Sequence, residues 1–402
     1  MPSVVRIIFN FATVLIPTLA ILYITLLGCL TTPTFQSHIV YLHKIQITWF
    51  SDLDIPEQFG FLYNQVTPFW IKSSEGGFLY AWHILPIELY RRHETDLISE
   101  SSGITSDFES RLAFKLLRDD PEARLIIHFH GAAGTVGSGY RTPNYRALSA
   151  GSPEKIHVLT FDYRGFGRSD GVPSESGLIL DAISVMDWAM GIAGIPPSRI
   201  LIFGQSLGTA VSLAVAEQFA AQSPPVHFAG IILVAPFVDV GALVATYRVG
   251  GLIPILSPVA QFPSLFGYLR TFIRDEWLSK DRISSYIKAA ELNKVPYRIT
   301  IIHAEDDYDV PFHHSQTLFW HAVNSTLPGG MGKEGFEMRK DGLRRSLGSA
   351  GTVVEWRTGH GVLREEILRY GLHDVVMGNS VVTMAVLRIM SGVDGTLMRG
   401  LR

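Results

Sequence analysis

Residues 199–208, Arg-Ile-Leu-Ile-Phe-Gly-Gln-Ser-Leu-Gly, restrict what this chain can fold into more than any other stretch. Ile200 to Phe203 are all apolar, as in a strand buried on both faces. Gly204-Gln-Ser-Leu-Gly208 follows at once, and residues 209–221 are Ala-rich and helix-forming. A strand, a G-x-S-x-G turn and a helix in that order are the context of a nucleophile elbow. Glycines flank Ser206 because strand and helix must approach closely around a strained turn, which leaves no room for a Cβ. The serine hydroxyl then stands above the sheet, near a helix N-terminus that favours developing negative charge. A chemically inert turn of small residues would read the same way. The rest of the chain must therefore supply a base, an acid and donors for an oxyanion.

Strands and helices alternate on both sides of this stretch, which is the pattern of a mostly parallel sheet. Residues 124–130 and 157–161 read as strands before the elbow, with an amphipathic helix over 178–190. Residues 230–236 and 297–302 read as strands after it, followed by a last strand over 365–370 and a closing helix over 381–390. Further upstream, residues 65–71 and 78–85 read as a hairpin around the turn Ser73-Ser-Glu-Gly-Gly77. The polar, Ser-rich residues 87–106 read as a surface excursion, and a helix is expected from Asp107 to Leu117.

Triad partners in such a sheet follow in the order Ser, then Asp or Glu, then His. His303-Ala-Glu-Asp-Asp-Tyr-Asp-Val-Pro311 ends a strand at the edge where ligand groups of open α/β sheets collect. Glu305, Asp306, Asp307 and Asp309 are all candidates there for the acid. For the base, His373 lies on a loop between a strand and the last helix, and His360, in Thr358-Gly-His-Gly361, is the fallback. His313, His314 and His321 fall on the helix after the acid loop and read as surface residues. The oxyanion hole calls for the backbone N–H of Leu207 and one from His130-Gly-Ala-Ala-Gly134, where Ala132 is the best placed. One such donor is worth roughly 2.7–4 kcal/mol of barrier.

The amino-terminal residues 7–30 form an almost unbroken apolar run. About 24 residues at roughly 1.5 Å each reach about 36 Å, enough to cross a bilayer. A cleaved signal peptide is the alternative, but Thr31-Thr-Pro-Thr34 offers no small-x-small cleavage site. The organisation read from this is an anchor over 1–32, a linker over 33–60 and a catalytic domain over 61–402. Lys and Arg number 34 against 37 Asp and Glu, so no basic excess points to nucleic acid. Cys29 is the single cysteine, which excludes intramolecular disulfides and cysteine-built zinc sites.

With these pieces in place, the chain resembles the α/β-hydrolase superfamily. Within it, the chain is similar to the α/β-hydrolase domain-containing protein 12 family of membrane-anchored monoacylglycerol and lysophosphatidylserine lipases. The resemblance rests on Leu79-Tyr-Ala-Trp-His83, His128-Phe-His-Gly131, Phe161-Asp-Tyr-Arg-Gly-Phe-Gly-Arg-Ser169, Gly204-Gln-Ser-Leu-Gly208, His303-Ala-Glu-Asp-Asp307 and Val310-Pro-Phe312. It implies an α/β-hydrolase fold with a mostly parallel central sheet, helices on both faces and a helical lid insertion over about 237–290, behind a transmembrane helix. It implies Ser206 as nucleophile, Asp307 as acid and His373 as base, with no metal or organic cofactor. It also implies a single-pass protein of the endoplasmic reticulum with a lumenal catalytic domain, a lipid ester as substrate and the bilayer as partner. The sequon Asn324-Ser-Thr326 would report that orientation if glycosylated. Residues 327–352 stand out as an insertion between acid and base, which keeps His360 in contention.

The lid region includes Gly251-Leu-Ile-Pro-Ile-Leu-Ser-Pro-Val-Ala260 and Phe262-Pro-Ser-Leu-Phe-Gly-Tyr-Leu-Arg270. Apolar and aromatic side chains there suit an acyl chain or packing onto the core. An H-x4-D acyltransferase pattern follows neither candidate base, and His157 and Asp162, which match it by spacing, lie along a core strand. Hydrolysis is the expectation. The rival readings are a thioesterase or peptidase on the same triad, and a catalytically silent hydrolase fold that serves as an interaction protein.

Overall fold

The computed structural model describes residues 2–391 apart from 47, 49, 250–252, 255 and 256. It opens with a helix, α1 (Pro2–Leu30), that carries Pro17 in its interior. Over Thr13–Leu30 this helix is long and apolar enough to cross a membrane, and none of that window is buried against the protein. Ile16, Leu19, Ile21, Leu22 and Ile24 point outward. By length and composition the helix is a candidate membrane span. A second helix, α2 (Pro33–Tyr41), starts on a proline and ends at Leu42 in a left-handed conformation.

The strands of the main sheet are β1 (Val66–Lys72), β2 (Phe78–Ile84), β3 (Arg124–Phe129), β4 (Ile156–Phe161), β5 (Ile200–Gln205), β6 (Gly230–Val234), β7 (Tyr297–Ala304), β8 (Arg345–Ser346), β9 (Gly351–Arg357) and β10 (Gly361–Leu368). They form one sheet in the order β1-β2-β4-β3-β5-β6-β7-β10-β9-β8. The central run from β4 to β10 is parallel, and antiparallel strands flank it on both sides. Along β3, Leu125, Ile127 and Phe129 enter one apolar cluster while Ile126 enters the other, so helices cover both faces. A strand covered on both sides has no polar face to show, which is why these strands are nearly continuous apolar runs. This is the α/β-hydrolase fold.

Several expectations need correction. Residues 87–106 are not merely a surface excursion. They hold helices Ile87–Arg92 and Glu94–Ser99, and Leu89, Tyr90 and Leu97 are buried. The downstream helix begins at Leu112 rather than Asp107. The last strand is Gly361–Leu368, and a further antiparallel strand, Gly351–Arg357, precedes it. Charges within these strands hid the pattern. Arg364 pairs with Glu355 at 3.0 Å and Glu366 at 2.7 Å, and buried Glu365 pairs with Lys340 at 2.7 Å. Residues 327–352 contain helix Lys333–Leu343, which buries Phe336 near Trp356. His314 is buried and not a surface residue: its ring lies 3.0 Å from the Thr246 hydroxyl.

Between β6 and β7 lie helices Val240–Thr246, Pro263–Arg270 and Ser279–Asn293. Part of the apolar stretch 251–260 lies outside the described residues. Phe262, Leu265 and Tyr268 are exposed on the neighbouring segment.

Candidate active site

Ser206 sits between β5 and the helix α3 (Leu207–Ala220) with φ 51° and ψ −119°, a conformation few non-glycine residues adopt. Its amide donates to the Val234 carbonyl of β6 at 3.0 Å. The flanking glycines are required sterically. A Cβ on Gly204 would stand 2.4 Å from the Gly208 carbonyl oxygen, and one on Gly208 would stand 1.9 Å from that of Phe129. Strand, turn and helix are thus in contact without side chains between them. Strain of this kind costs of order 1–3 kcal/mol and persists where surrounding structure over-determines it.

The acidic cluster after β7 divides its labour. Glu305 pairs with Arg369 at 2.6 Å. Asp306 Oδ1 accepts from the amides of Gly371 and Leu372 at 2.9 and 2.8 Å, and so fixes the loop that carries His373. Asp307 Oδ1 accepts from the amides of Asp309 and Val310, both at 2.9 Å. Its Oδ2 lies 2.7 Å from His373 Nδ1. A carboxylate can only accept, so His373 carries its proton on Nδ1 and leaves Nε2 with a free lone pair. Burial works to raise the Asp307 pKa, but hydrogen bonds from His303 and His373 outweigh it and hold the carboxyl well below the usual range. Burial likewise disfavours charging His373. The Asp307 carboxylate overcomes this and leaves the imidazole more basic than an ordinary histidine.

The alternative base lies elsewhere. His360 precedes β10, and its carbonyl accepts from the Tyr297 amide at the start of β7, at 3.2 Å. His373 follows the other end of β10. An eight-residue strand separates the two ends, about 26 Å at roughly 3.3 Å per residue. The structure brings His373 to Asp307 and leaves His360 at the opposite edge.

Gln205, next to the serine, reaches across to the base loop. Its amide donates to Asp374 Oδ1 at 3.1 Å and lies 3.5 Å from the His373 carbonyl. The turn at 131–134 closes the other side: a Cβ on Gly131 would lie 3.2 Å from the Ser206 Cβ. Among the described residues, neither the Leu207 amide nor the Ala132 amide donates to a protein acceptor. Two unsatisfied amides beside a serine hydroxyl are what a developing oxyanion needs. Asp307, Asp309 and His373 also place ligand atoms within 4.8 Å of one another. The Asp307–His373 hydrogen bond already occupies two of the three.

Two residues of the site have no role assigned by the sequence. His303 ends β7, and its Nε2 lies 3.0 Å from Asp307 Oδ2 and 2.8 Å from the Val310 carbonyl. Both partners accept, so Nε2 bears the proton, while Nδ1 accepts from the Ser315 hydroxyl at 2.6 Å. His303 thus fixes Asp307. The only sequence signal was a histidine at a strand's C-terminal end beside the acids. Arg141 is buried beneath the 131–134 turn and gave no signal at all. Its guanidinium donates to the carbonyls of Gly131, Ala132 and Ala133 at 3.1, 3.2 and 2.7 Å, and to that of Thr135. Holding the Gly131 carbonyl inward fixes the peptide plane that carries the Ala132 amide. Lysine cannot reproduce that planar fork, and each buried carbonyl left unpaired costs about 1–3 kcal/mol. Arg141→Lys should lower kcat for an ester by about 10- to 100-fold and lower Tm by several degrees. Unchanged kcat and Tm would show that the turn keeps its shape without the guanidinium.

A model of the alpha/beta hydrolase family matches residues 126–366. The lysophosphatidylserine lipase ABHD12 of Gallus gallus is 30% identical over 299 residues, covering 73% of this chain and 68% of that protein. The lysophosphatidylserine lipase ABHD12 of Danio rerio is 28% identical over 297 residues, with the same shares covered. A solved alpha-beta hydrolase of Vibrio vulnificus superposes with TM-score 0.53 at 17% identity, over 90% of this chain and 94% of that one.

Proposed function

Because the chain belongs to the α/β-hydrolase family, and within it to the family of lysophosphatidylserine lipase ABHD12, we propose that it is a membrane-anchored serine hydrolase that cleaves carboxylic esters of single-chain lipids. A lysophospholipid or a monoacylglycerol is the substrate in this reading, and α1 is the anchor that places the hydrolase domain on the lumenal face of the endoplasmic reticulum.

His373 Nε2 takes the proton of the Ser206 hydroxyl as the oxygen attacks the acyl carbon. The Leu207 and Ala132 amides stabilise the oxyanion. His373 then returns the proton to the leaving alcohol, and an acyl-enzyme remains. Water, deprotonated by the same imidazole, adds to the acyl carbon and releases the fatty acid and Ser206. The single observation that carries this reading is the 2.7 Å contact of His373 Nδ1 with Asp307, on the sheet edge where the strained Ser206 turn emerges.

The lipid assignment has its own support. Leu27 and Leu30 at the end of α1 share an apolar pocket with Val240, Val244, Phe266 and Leu269 of the segment between β6 and β7. Hydrocarbon leaving a bilayer along α1 meets this pocket first. Pockets of such apolar lining suit an acyl chain.

A fluorophosphonate probe, followed by peptide mass spectrometry, tests the chemistry. The adduct should map to the peptide containing Ser206, and the full chain in detergent should release fatty acid from lysophosphatidylserine or monoacylglycerol faster than from acyl-CoA or a peptide. An adduct on another residue, or no adduct, removes the serine-hydrolase reading. A preference for the thioester or the peptide moves the protein to the rival substrate class.

A further inference from the structure

The turn at 131–134 is held from two sides, and only one of them belongs to the hydrolase core. Ala133 and Gly134 have φ of 60° and 65°, two successive left-handed residues of which one carries a side chain. Arg141 binds the carbonyls of this turn from within. On the amide side, Ala133 N–H donates to the Tyr41 carbonyl at 2.8 Å and Gly134 N–H to the Ile45 carbonyl at 2.7 Å. Tyr41 ends α2 and Ile45 lies four residues on, in the segment that leaves the apolar helix α1. The Thr48 and Thr135 hydroxyls add a contact at 3.3 Å.

The same segment is stitched to the far end of the insertion between β6 and β7. Gln36 donates to the Phe272 carbonyl at 2.7 Å and accepts from the Arg274 amide at 3.2 Å. The Tyr41 hydroxyl donates to Asp275 at 2.7 Å and lies 3.3 Å from the indole nitrogen of Trp277. Tyr41 is fully buried, as is Trp277, and its ring meets Phe166 edge-on at 6.5 Å. Phe166 in turn lies 5.3 Å from His130, the residue that opens the oxyanion turn.

We propose that residues 36–45 are a positioning element for catalysis: the juxtamembrane segment holds the oxyanion turn in register with Ser206 and ties that turn to the root of the lid. The inference rests on the serine-hydrolase reading above. A turn with successive left-handed residues keeps its shape only where surrounding structure over-determines it. The Tyr41 and Ile45 carbonyls supply that support on the amide side. If they are withdrawn, the Ala132–Ala133 and Ala133–Gly134 peptide planes lose their support on the amide side, and the adjoining plane that carries the Ala132 N–H is held by Arg141 alone. Anchor, lid and oxyanion hole then form one mechanical unit rather than a hydrolase on a passive tether.

The test uses the purified full chain in detergent micelles with 4-nitrophenyl butyrate, a soluble ester that needs no membrane delivery. Two variants disturb the segment: Tyr41→Ala, and an insertion of two glycines between Lys44 and Ile45 that shifts the Ile45 carbonyl away from Gly134. Each should lower kcat by about 10- to 100-fold with KM within about two-fold of the parent. Tyr41→Phe, which keeps the ring against Phe166, should recover at least a third of the parental kcat. Thermal melts identify the folded variants. If Tyr41→Ala does not fold, the glycine insertion in the exposed stretch 44–46 decides. Parental kcat in the folded insertion variant, or a loss confined to KM, overturns the proposal. Ser206→Ala separates the two levels. If Ser206→Ala is inactive while the insertion variant is unaffected, only the positioning role fails. If Ser206→Ala matches the parent, the hydrolase reading fails with it.

Discussion

Replacing Ser206 or His373 by alanine should lower kcat for ester hydrolysis by about 10⁵- to 10⁶-fold, and replacing both should cost little more than either alone. The near-equality follows from their joint action. Without the imidazole the hydroxyl keeps its proton, and without the hydroxyl the imidazole has nothing to activate. The same substitution at His360 should leave kcat within about two-fold, since that residue caps the opposite end of β10 and only its backbone carbonyl reaches a neighbouring strand, at Tyr297. Active-site burst kinetics on the four proteins, with thermal melts to show that each is folded, would check the set. A His360→Ala enzyme as dead as His373→Ala would overturn the assignment of the base.

Asp307→Asn should reduce kcat by about 10⁴-fold and also change the pH profile. Asp307 Oδ2 accepts from His373 Nδ1 at 2.7 Å, and its Oδ1 is held by the Asp309 and Val310 amides at 2.9 Å. With Oδ1 so held, an asparagine would present its NH₂ to Nδ1. Two donors cannot face each other, so the ring would shift its proton to Nε2, the atom that must be unprotonated to receive the serine proton. The pH dependence has a definite sign. A general base works only when neutral, and Asp307 holds the His373 pKa above the ordinary value against the effect of burial. In the parent, kcat/KM should therefore rise with pH through a midpoint above about 6.5. In Asp307→Asn the residual activity should have a lower midpoint, because the charge that favoured the imidazolium is gone. A residual profile with an unmoved midpoint would show that Asp307 does not face the base. The carboxylate also contributes to stability. Its pKa is depressed in the folded protein, so that contribution is present above the ordinary carboxylate pKa and is lost as pH falls through and below about 4. The Asn variant should lose less Tm than the parent over that acid range.

Much of this arrangement was legible before any fold was known. The strands from β3 to β7 are apolar runs bounded by turn residues, and each was found within a few residues of its observed limits. The elbow was legible because its requirement is local: two positions without a Cβ, on either side of a serine, between a strand and a helix. The strands β9 and β10 were less legible. Their charged residues Glu355, Arg364, Glu365 and Glu366 are neutralised by one another, Lys340 and Arg388, and that pairing exists only once the sheet and its covering helices meet.

The same division separates the parts of the site. The amino-acid sequence alone determined the fold class, the turn that carries Ser206, the acidic loop after β7 and an apolar helix long enough to cross a bilayer. All of these show in local features of the chain: side-chain period, steric room at glycine, and unbroken apolar length. Only the tertiary structure decided which carboxylate meets which histidine, because Asp307 and His373 are 66 positions apart and meet only at one edge of the parallel sheet. Only it decided that Arg141 grips the 131–134 turn from within and that the Tyr41 and Ile45 carbonyls hold its amides from the other side. At the turn and in the 41–45 segment those bonds use backbone carbonyls and amides, so the side chains there do not announce them.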